Sequence, residues 1–333
     1  MVPTDPKGES RARRSNLVSI VVPAYNEADG LSHFAETLGD VLRPLEGRWR
    51  FEVVFVDDGS QDQTPEVAGG LCRSDSRFRY LRLSRNFGHQ AALTAGLEHA
   101  RGACVVSLDA DLQHPPSLLP ALLAAWEGGA DVVDARRRET EGIGWFKRAT
   151  SDLFYRIVPV LTGLPIGQGG SDFRLLDRRV VDVLIRLPEK RRFYRGLVPW
   201  LGFARSTIDF EAGARFAGRT KYSLRKMLRL ASDGVFGFTN LPLRIAFLAG
   251  GTGMLLGAVY MTWAVYERVV RHTTLTGWTS LLLTTIFFGS LNLFVLGILG
   301  EYLGRVHEQT KGRPTYVLDE ERSLPGVEEK AEP

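Results

Sequence analysis

Short apolar runs rich in β-branched residues recur through the first part of the chain, at Leu17–Val22, Phe51–Val56, Tyr80–Leu83, Cys104–Leu108 and Asp131–Val133. Between them the apolar positions fall at helical spacing, as in Leu31–Leu42, Gln90–His99 and Leu118–Trp126. Strands alternating with helices of this length predict right-handed βαβ crossovers and a mostly parallel, Rossmann-like α/β sheet covered on both faces. Ligands of such sheets bind where the strands end, at their carboxyl edge. The polar segments with the most chemistry stand there: "PAYNE" after the first run, "DDGS" after the second, "SRNFGH" after the third and "DADLQH" after the fourth.

The last third of the chain has a different pattern. Ile245–Tyr266 carries no charge, and neither does Thr273–Gly300. Each run exceeds the roughly 20 residues that cross a hydrocarbon core about 30 Å thick. Two spans, about 245–266 and 278–300, make a hairpin over 241–303, with small residues at Gly250, Gly253 and Gly257. Lys and Arg are concentrated outside the hairpin, in Arg215–Arg244 before it and at Arg305, Lys311 and Arg313 after it. The positive-inside rule then places both flanks, the sheet domain and both termini in the cytoplasm, as in a multi-pass protein of the bacterial inner membrane. Residues 222–240, with apolar positions at helical spacing opposite Arg225, Lys226 and Arg229, predict an interfacial helix on anionic headgroups. Residues 1–16 are polar and lack an apolar signal segment, predicting a disordered tail; 304–333 predict a cytoplasmic C-terminal tail.

Within the edge loops, Asp109 and Asp111 share a parity along an extended segment, so their carboxylates point the same way. Two such anions repel unless a cation lies between them, and an all-oxygen set completed by Gln113 suits Mg²⁺ or Mn²⁺. A lone D-x-D is a weak signal; its place after "VVSL" strengthens it. Glu27 and Asp57 are acceptors suited to a nucleobase N–H and ribose hydroxyls, and Tyr25 offers a stacking face. Each also has a plainer reading, since Asp58-Gly59-Ser60 is good turn chemistry and Glu27 favours a helix start. His89 and His114 read as loop hydrogen-bonders. A phosphate-loop reading of "GARFAGRT" fails because Arg219 replaces the lysine and the segment follows the acidic strand by a long stretch. Cys72 and Cys104 lack metal-ligand spacing and read as small hydrophobes. A net charge of +4 suits an anionic ligand or surface without requiring one, and no nucleic-acid signature accompanies it.

The ordered series "VVPAYNE", "VDDGS", "LSRNFGHQAALTAGL", "DADLQHPP", "GGSDFRLLDRR" and "FAGRTKYSLRKM", then two apolar runs and "GEYLGRVHEQTKGRPTY", resembles family 2 glycosyltransferases. Within them it is similar to the membrane-anchored polyprenyl-phosphate glycosyltransferases of bacteria related to dolichyl-phosphate mannose synthase. The resemblance covers about Leu17 to Tyr316 and implies a GT-A catalytic domain over 17–221, a divalent cation, and partners that are a nucleotide sugar, a polyprenyl phosphate and the bilayer. It implies that Pro23, Tyr25, Glu27, Asp57, Asp58 and Asp109 serve the nucleotide sugar, and that Asp109, Asp111 and Gln113 hold Mg²⁺ or Mn²⁺. Arg136, Ser171, Arg174, Arg219 and Lys221 are the candidates for the acceptor phosphate, and Asp111 and Asp172 are the candidate catalytic groups. The Q-x-x-R-W motif of processive synthases is missing, so elongation of a glycan is not expected. Glucose and a UDP carrier are preferred readings, with undecaprenyl phosphate the preferred lipid. Other sugars, a GDP carrier, a non-lipid acceptor, a non-catalytic nucleotide-binding module and a homo-oligomer stay open. A chain ended near Asn240 is expected to retain donor affinity if the sheet domain folds alone, because no candidate donor residue lies beyond that point.

Overall fold

A computed structural model describes residues 16–137, 170–190, 192–210, 239–271 and 277–324. These divide into two units, Met1–Met227 with Pro314–Pro333, and Leu228–Arg313.

The first unit is built on a seven-stranded sheet of β1 (Leu17–Ala24), β2 (Arg50–Asp57), β3 (Phe78–Arg82), β4 (Cys104–Ser107), β5 (Val132–Arg137), β6 (Gly170–Asp177) and β7 (Arg205–Phe210). The order is β3-β2-β1-β4-β6-β5-β7. Strands β1 to β5 and β7 run parallel, while β6 is antiparallel to both its neighbours, β4 and β5. The helices are α1 (Ala28–Leu42), α2 (Thr64–Ser74), α3 (His89–His99), α4 (Leu119–Glu127), α5 (Arg178–Arg186) and α6 (Tyr194–Trp200).

Strands β1, β2 and β4 are buried along nearly their whole length, which is why they read as continuous apolar runs rather than alternating ones. Alternate residues serve opposite faces. Val18, Ile20 and Val22 join a core with Leu31, Phe34 and Leu38 of α1 and with Leu119, Leu122 and Trp126 of α4. Val21 faces the other way, onto α3, so closely that a Cβ on Gly96 would lie 2.1 Å from Val21 Cγ1. Helix α3 therefore lies against the sheet at a distance that only glycine permits there. Its first residue, His89, is thereby held at the carboxyl edge.

Part of the stretch expected as a C-terminal tail pairs with the sheet. After Arg313 the chain re-enters the sheet unit and runs antiparallel beside β3, with bridges Leu83–Leu318 and Tyr80–Leu324. Tyr80 and Leu324 exchange two backbone hydrogen bonds of 2.9 and 2.7 Å, Ser84 N donates to Val317 O, and Asp319 N donates to Arg82 O. Tyr316 donates its hydroxyl to Glu98 at 2.6 Å. The exposed edge of the sheet is covered by this segment, which satisfies backbone groups that an open edge strand would leave unpaired. A chain ended near Asn240 would lose it, so such a truncation cannot be expected to leave the sheet unit intact.

The second unit holds two long helices, α7 (Leu241–Val270) and α8 (Trp278–Thr310), each longer than the expected spans. Leu241–Glu267 and Thr284–Thr310 are long and apolar enough to cross a membrane, with none of their apolar windows buried in protein. Phe247, Met254 and Leu293 are 80%, 76% and 71% exposed. A core helix of a soluble protein would cover such side chains, so membrane association follows. The helices form a hairpin: Tyr302 of α8 donates its hydroxyl to Thr239 O beside the start of α7, and Gly253 of α7 lies against Phe288 of α8. Gly250 and Gly257 face open space. Arg219, Lys221 and the interfacial helix expected at 222–240, up to residue 238, lie outside the described residues.

Candidate active site at the carboxyl edge of the sheet

Topology brings the ends of β1, β2 and β3, the segment after β4, the ends of β5 and β7, and the start of antiparallel β6 to one edge. The loops there are tied together by polar contacts. Asn26, with φ of 54°, donates its N–H to Ser60 Oγ and accepts from Gln61 N. Glu27 N donates to Thr64 Oγ1, and Ala28 N to Asp62. Gly59, with φ of +69°, passes so near the next loop that a Cβ would lie 2.5 Å from the Arg85 carbonyl carbon. The turn requires glycine twice over, for conformation and for space.

The two aspartates of "DDGS" play different parts. Asp57 is fully buried at the end of β2; it accepts from Tyr80 Oη at 2.6 Å and Ser60 N at 2.8 Å, with Arg82 at 3.9 Å. Asp58, 3% exposed, accepts from Phe87 N at 2.7 Å and Gly88 N at 2.9 Å. Burial pushes the Asp58 carboxyl up, and the two backbone N–H groups pull it back only in part. Asp58 is thus a clamp on the loop entering α3, supporting the pocket from behind. Tyr25 and Glu27 are half-buried just past β1, whereas Pro23 is buried within it.

After β4 the chain folds back on itself. His114 accepts the Asp109 N–H on Nδ1 at 3.0 Å while its ring stacks on Phe173, with centroids 5.1 Å apart. Its role is the expected one, a loop hydrogen-bonder. Leu112, with φ of 59°, turns the segment, and Asp111 accepts Gln113 N at 3.1 Å. Asp109 is 38% exposed, and Asp111 and Gln113 are half-buried. Among the described residues no three His, Cys, Asp or Glu side chains form a closed metal cage. Two carboxylates and one amide oxygen suit a cation such as Mg²⁺, which binds through one or two protein carboxylates and completes its shell with water and substrate phosphates. The donor set fits.

Asp172, near the start of β6, is where the structure adds most to the sequence. Its buried carboxylate accepts from Gln90 Nε2 at 3.3 Å and from Arg195 through Nε at 3.4 Å and Nη2 at 3.2 Å. Arg174 approaches to 3.9 Å. His89 Nε2 lies 3.5 Å from Asp172 and 3.9 Å from Asp109, so one imidazole reaches both carboxylates. Burial alone would raise the Asp172 carboxyl, but Arg195, His89 and Arg174 outweigh it and hold the group well below the usual carboxylate range. Burial would likewise lower His89, yet the bond to Asp172 and the charges of Asp109 and Asp172 raise it to about 9. A carboxylate so stabilised is a poor proton acceptor and a good orienting group.

Of the acceptor candidates, Arg136, Ser171 and Arg174 lie on the paired strands β5 and β6, where Arg136 pairs with Gly170. Arg136, 53% exposed, forks onto Asp209 of β7 at 2.7 and 3.1 Å. Arg174 is buried between Asp172 and Asp134. Ser171 is in β6, its side chain outside the described set. His89 was read only as a loop hydrogen-bonder, and Arg195 escaped the sequence reading because it stands in "RRFYRGLVPW", with nothing to single it out from its neighbours.

Comparison with known proteins gives this edge its context. A glucosyl-3-phosphoglycerate synthase from Mycobacterium tuberculosis, crystallised with Mn²⁺ and UDP-glucose, covers 71% of the chain and 83% of its own, at 21% identity and a TM-score of 0.44, too distant to carry weight. The sequence relatives are much nearer. An uncharacterized glycosyltransferase of Bacillus subtilis is 40% identical over 94% of this chain and 95% of its own. A bactoprenol glucosyl transferase of Shigella phage SfV is 34% identical over 92% of this chain and 99% of its own. Residues 19–185, which run from β1 through the acidic segment and β6 into α5, match the family described as glycosyl transferase family 2. With that match and near-full-length relatives of this identity, the chain belongs to glycosyl transferase family 2 and is a glycosyltransferase.

Proposed function

We propose that this enzyme transfers glucose from UDP-glucose to the phosphate of a polyprenyl phosphate at the cytoplasmic face of a bacterial inner membrane. The observation that carries this reading is the alignment with bactoprenol glucosyl transferases over nine-tenths of the chain. The edge geometry supports it. Tyr25, Glu27 and Asp57 border the expected place of the uridine, while Asp109, Asp111 and Gln113 offer a hard-cation site beside it. Mg²⁺ or Mn²⁺ bound there would neutralise charge on the leaving diphosphate.

The chemistry demands little proton transfer. A lipid phosphomonoester, with a second pKa of about 6, is largely a dianion near neutral pH. One of its oxygens attacks the sugar C1, the bond from C1 to the diphosphate oxygen breaks, and the bonding pair leaves with UDP. Direct displacement inverts C1, so an α-linked donor yields a β-linked lipid-phosphate sugar. Rate comes from positioning and charge neutralisation, which suits an edge whose buried Asp172 is too stabilised to be a base.

Release of UDP by the purified full-length protein in detergent tests the proposal. UDP should appear only when UDP-glucose, a divalent cation and a polyprenyl phosphate are all present. Equal release with free sugars or peptides as acceptor would overturn it.

A further inference from the structure

We propose that Arg195, aimed by Asp172, binds the phosphoryl group of the acceptor. This rests on the reaction proposed above. The position of the guanidinium and the bonds that hold it there carry it.

In the β4–β6 register Ser107 pairs with Arg174, so two residues further toward the edge Asp172 comes beside the segment that carries Asp109. His89 spans the two. Asp172 is 7% exposed at its side chain and Arg195 26%, so the carboxylate lies deeper than the arginine side chain that binds it. Arg195 presents Nε to one oxygen of Asp172 and Nη2 to the other, a side-on fork that fixes the plane of the group. Its helix is fixed as well: Tyr194 N donates to Gln90 Oε1 at 3.4 Å, and the Tyr194 and Thr94 hydroxyls lie 2.8 Å apart. Gln90 in turn donates to Asp172. The first turns of α3 and α6 are therefore locked to one buried carboxylate, and the lock holds Arg195 at the edge.

Two guanidiniums, those of Arg195 and Arg174, lie 3.2 and 3.9 Å from Asp172. Arg174 is 4% exposed and the Arg195 side chain 26%, so Arg195 is the one of the pair placed to meet an incoming phosphate, whose oxygens suit a guanidinium fork.

The test uses full-length protein in phospholipid-free detergent, with UDP-glucose and a short-chain polyprenyl phosphate, so that no lipid headgroup contributes. Arg195→Ala should raise the acceptor KM about ten- to a hundredfold, as expected for loss of a charge-assisted contact, while UDP affinity by calorimetry changes less than about twofold. Arg195→Lys, which retains the charge but not the fork, should fall between Ala and wild type, and that graded order guards against misfolding of the Ala variant. An unchanged acceptor KM in Arg195→Ala, or an equal loss of UDP affinity, overturns the assignment. Wild-type protein that binds UDP yet does not glycosylate the lipid phosphate overturns the reaction itself, and this assignment with it.

Discussion

Replacing Asp58 should separate the scaffold of the site from its chemistry. The carboxylate is 3% exposed and accepts from Phe87 N and Gly88 N, the two residues just before α3. Asp58→Ala leaves both donors without that partner in a buried place, at about 1–3 kcal/mol each. A total of about 2–6 kcal/mol corresponds to a drop in Tm on the order of 10 °C for a domain of this size. Asp58→Asn retains an acceptor oxygen and should lose much less. The pH dependence has a definite sign. Burial raises the folded-state value of this carboxyl above its ordinary 3.8, so its contribution to stability is complete below that value and declines as pH rises through the folded one. The deficit of Asp58→Asn against wild type should therefore narrow on going from acid to neutral pH. Because the loop carries His89 to the edge, Asp58→Ala should also lower transfer. Thermal unfolding in detergent gives the first readout, and amide exchange at Phe87 and Gly88 gives the local one. An Asp58→Ala protein that melts within about 2 °C of wild type, with both amides still protected, would refute the clamp.

Asp111→Asn should lower turnover by at least about a hundredfold through weaker cation binding, with Tm unchanged; near-normal turnover in limiting Mg²⁺ or Mn²⁺ would remove the metal role. Ending the chain after Arg313 deletes the segment that bonds to Tyr80, Arg82 and Ser84, and should lower both the Tm of the sheet unit and its UDP affinity, read by calorimetry on the same samples. Gly96→Val drives methyl groups into Val21 and should cost about 1–3 kcal/mol, seen as a lower Tm; a neutral result would mean that α3 can lift off β1 without penalty.

Parallel strands β1, β2 and β4 were legible because a strand buried on both faces is a continuous apolar run, whereas parallel β7, only partly buried, was not. Nor was strand β6. It is buried in mid-sheet yet carries Asp172, Arg174 and Asp177, whose polarity hides the strand from a hydrophobicity reading. These groups are tolerated because each has partners, such as Trp126 Nε1 donating to Asp177 at 2.9 Å. The covering of β3 by 316–324 was equally hidden, since backbone pairing with an edge leaves little trace in side-chain pattern. At the site, the acidic triplet could be read from spacing, whereas His89 and Arg195 acquire meaning only when α3, β6 and α6 converge on Asp172. His114 needed no revision.

The most direct test of the account is mass spectrometry of the lipid product formed by purified full-length protein from undecaprenyl phosphate, Mg²⁺ or Mn²⁺ and a panel of nucleotide sugars. The account predicts one product, the lipid phosphate carrying a single hexose, formed from UDP-glucose and lost in Asp111→Asn. An unmodified lipid with every donor, or a product carrying several sugars in a chain, would contradict it.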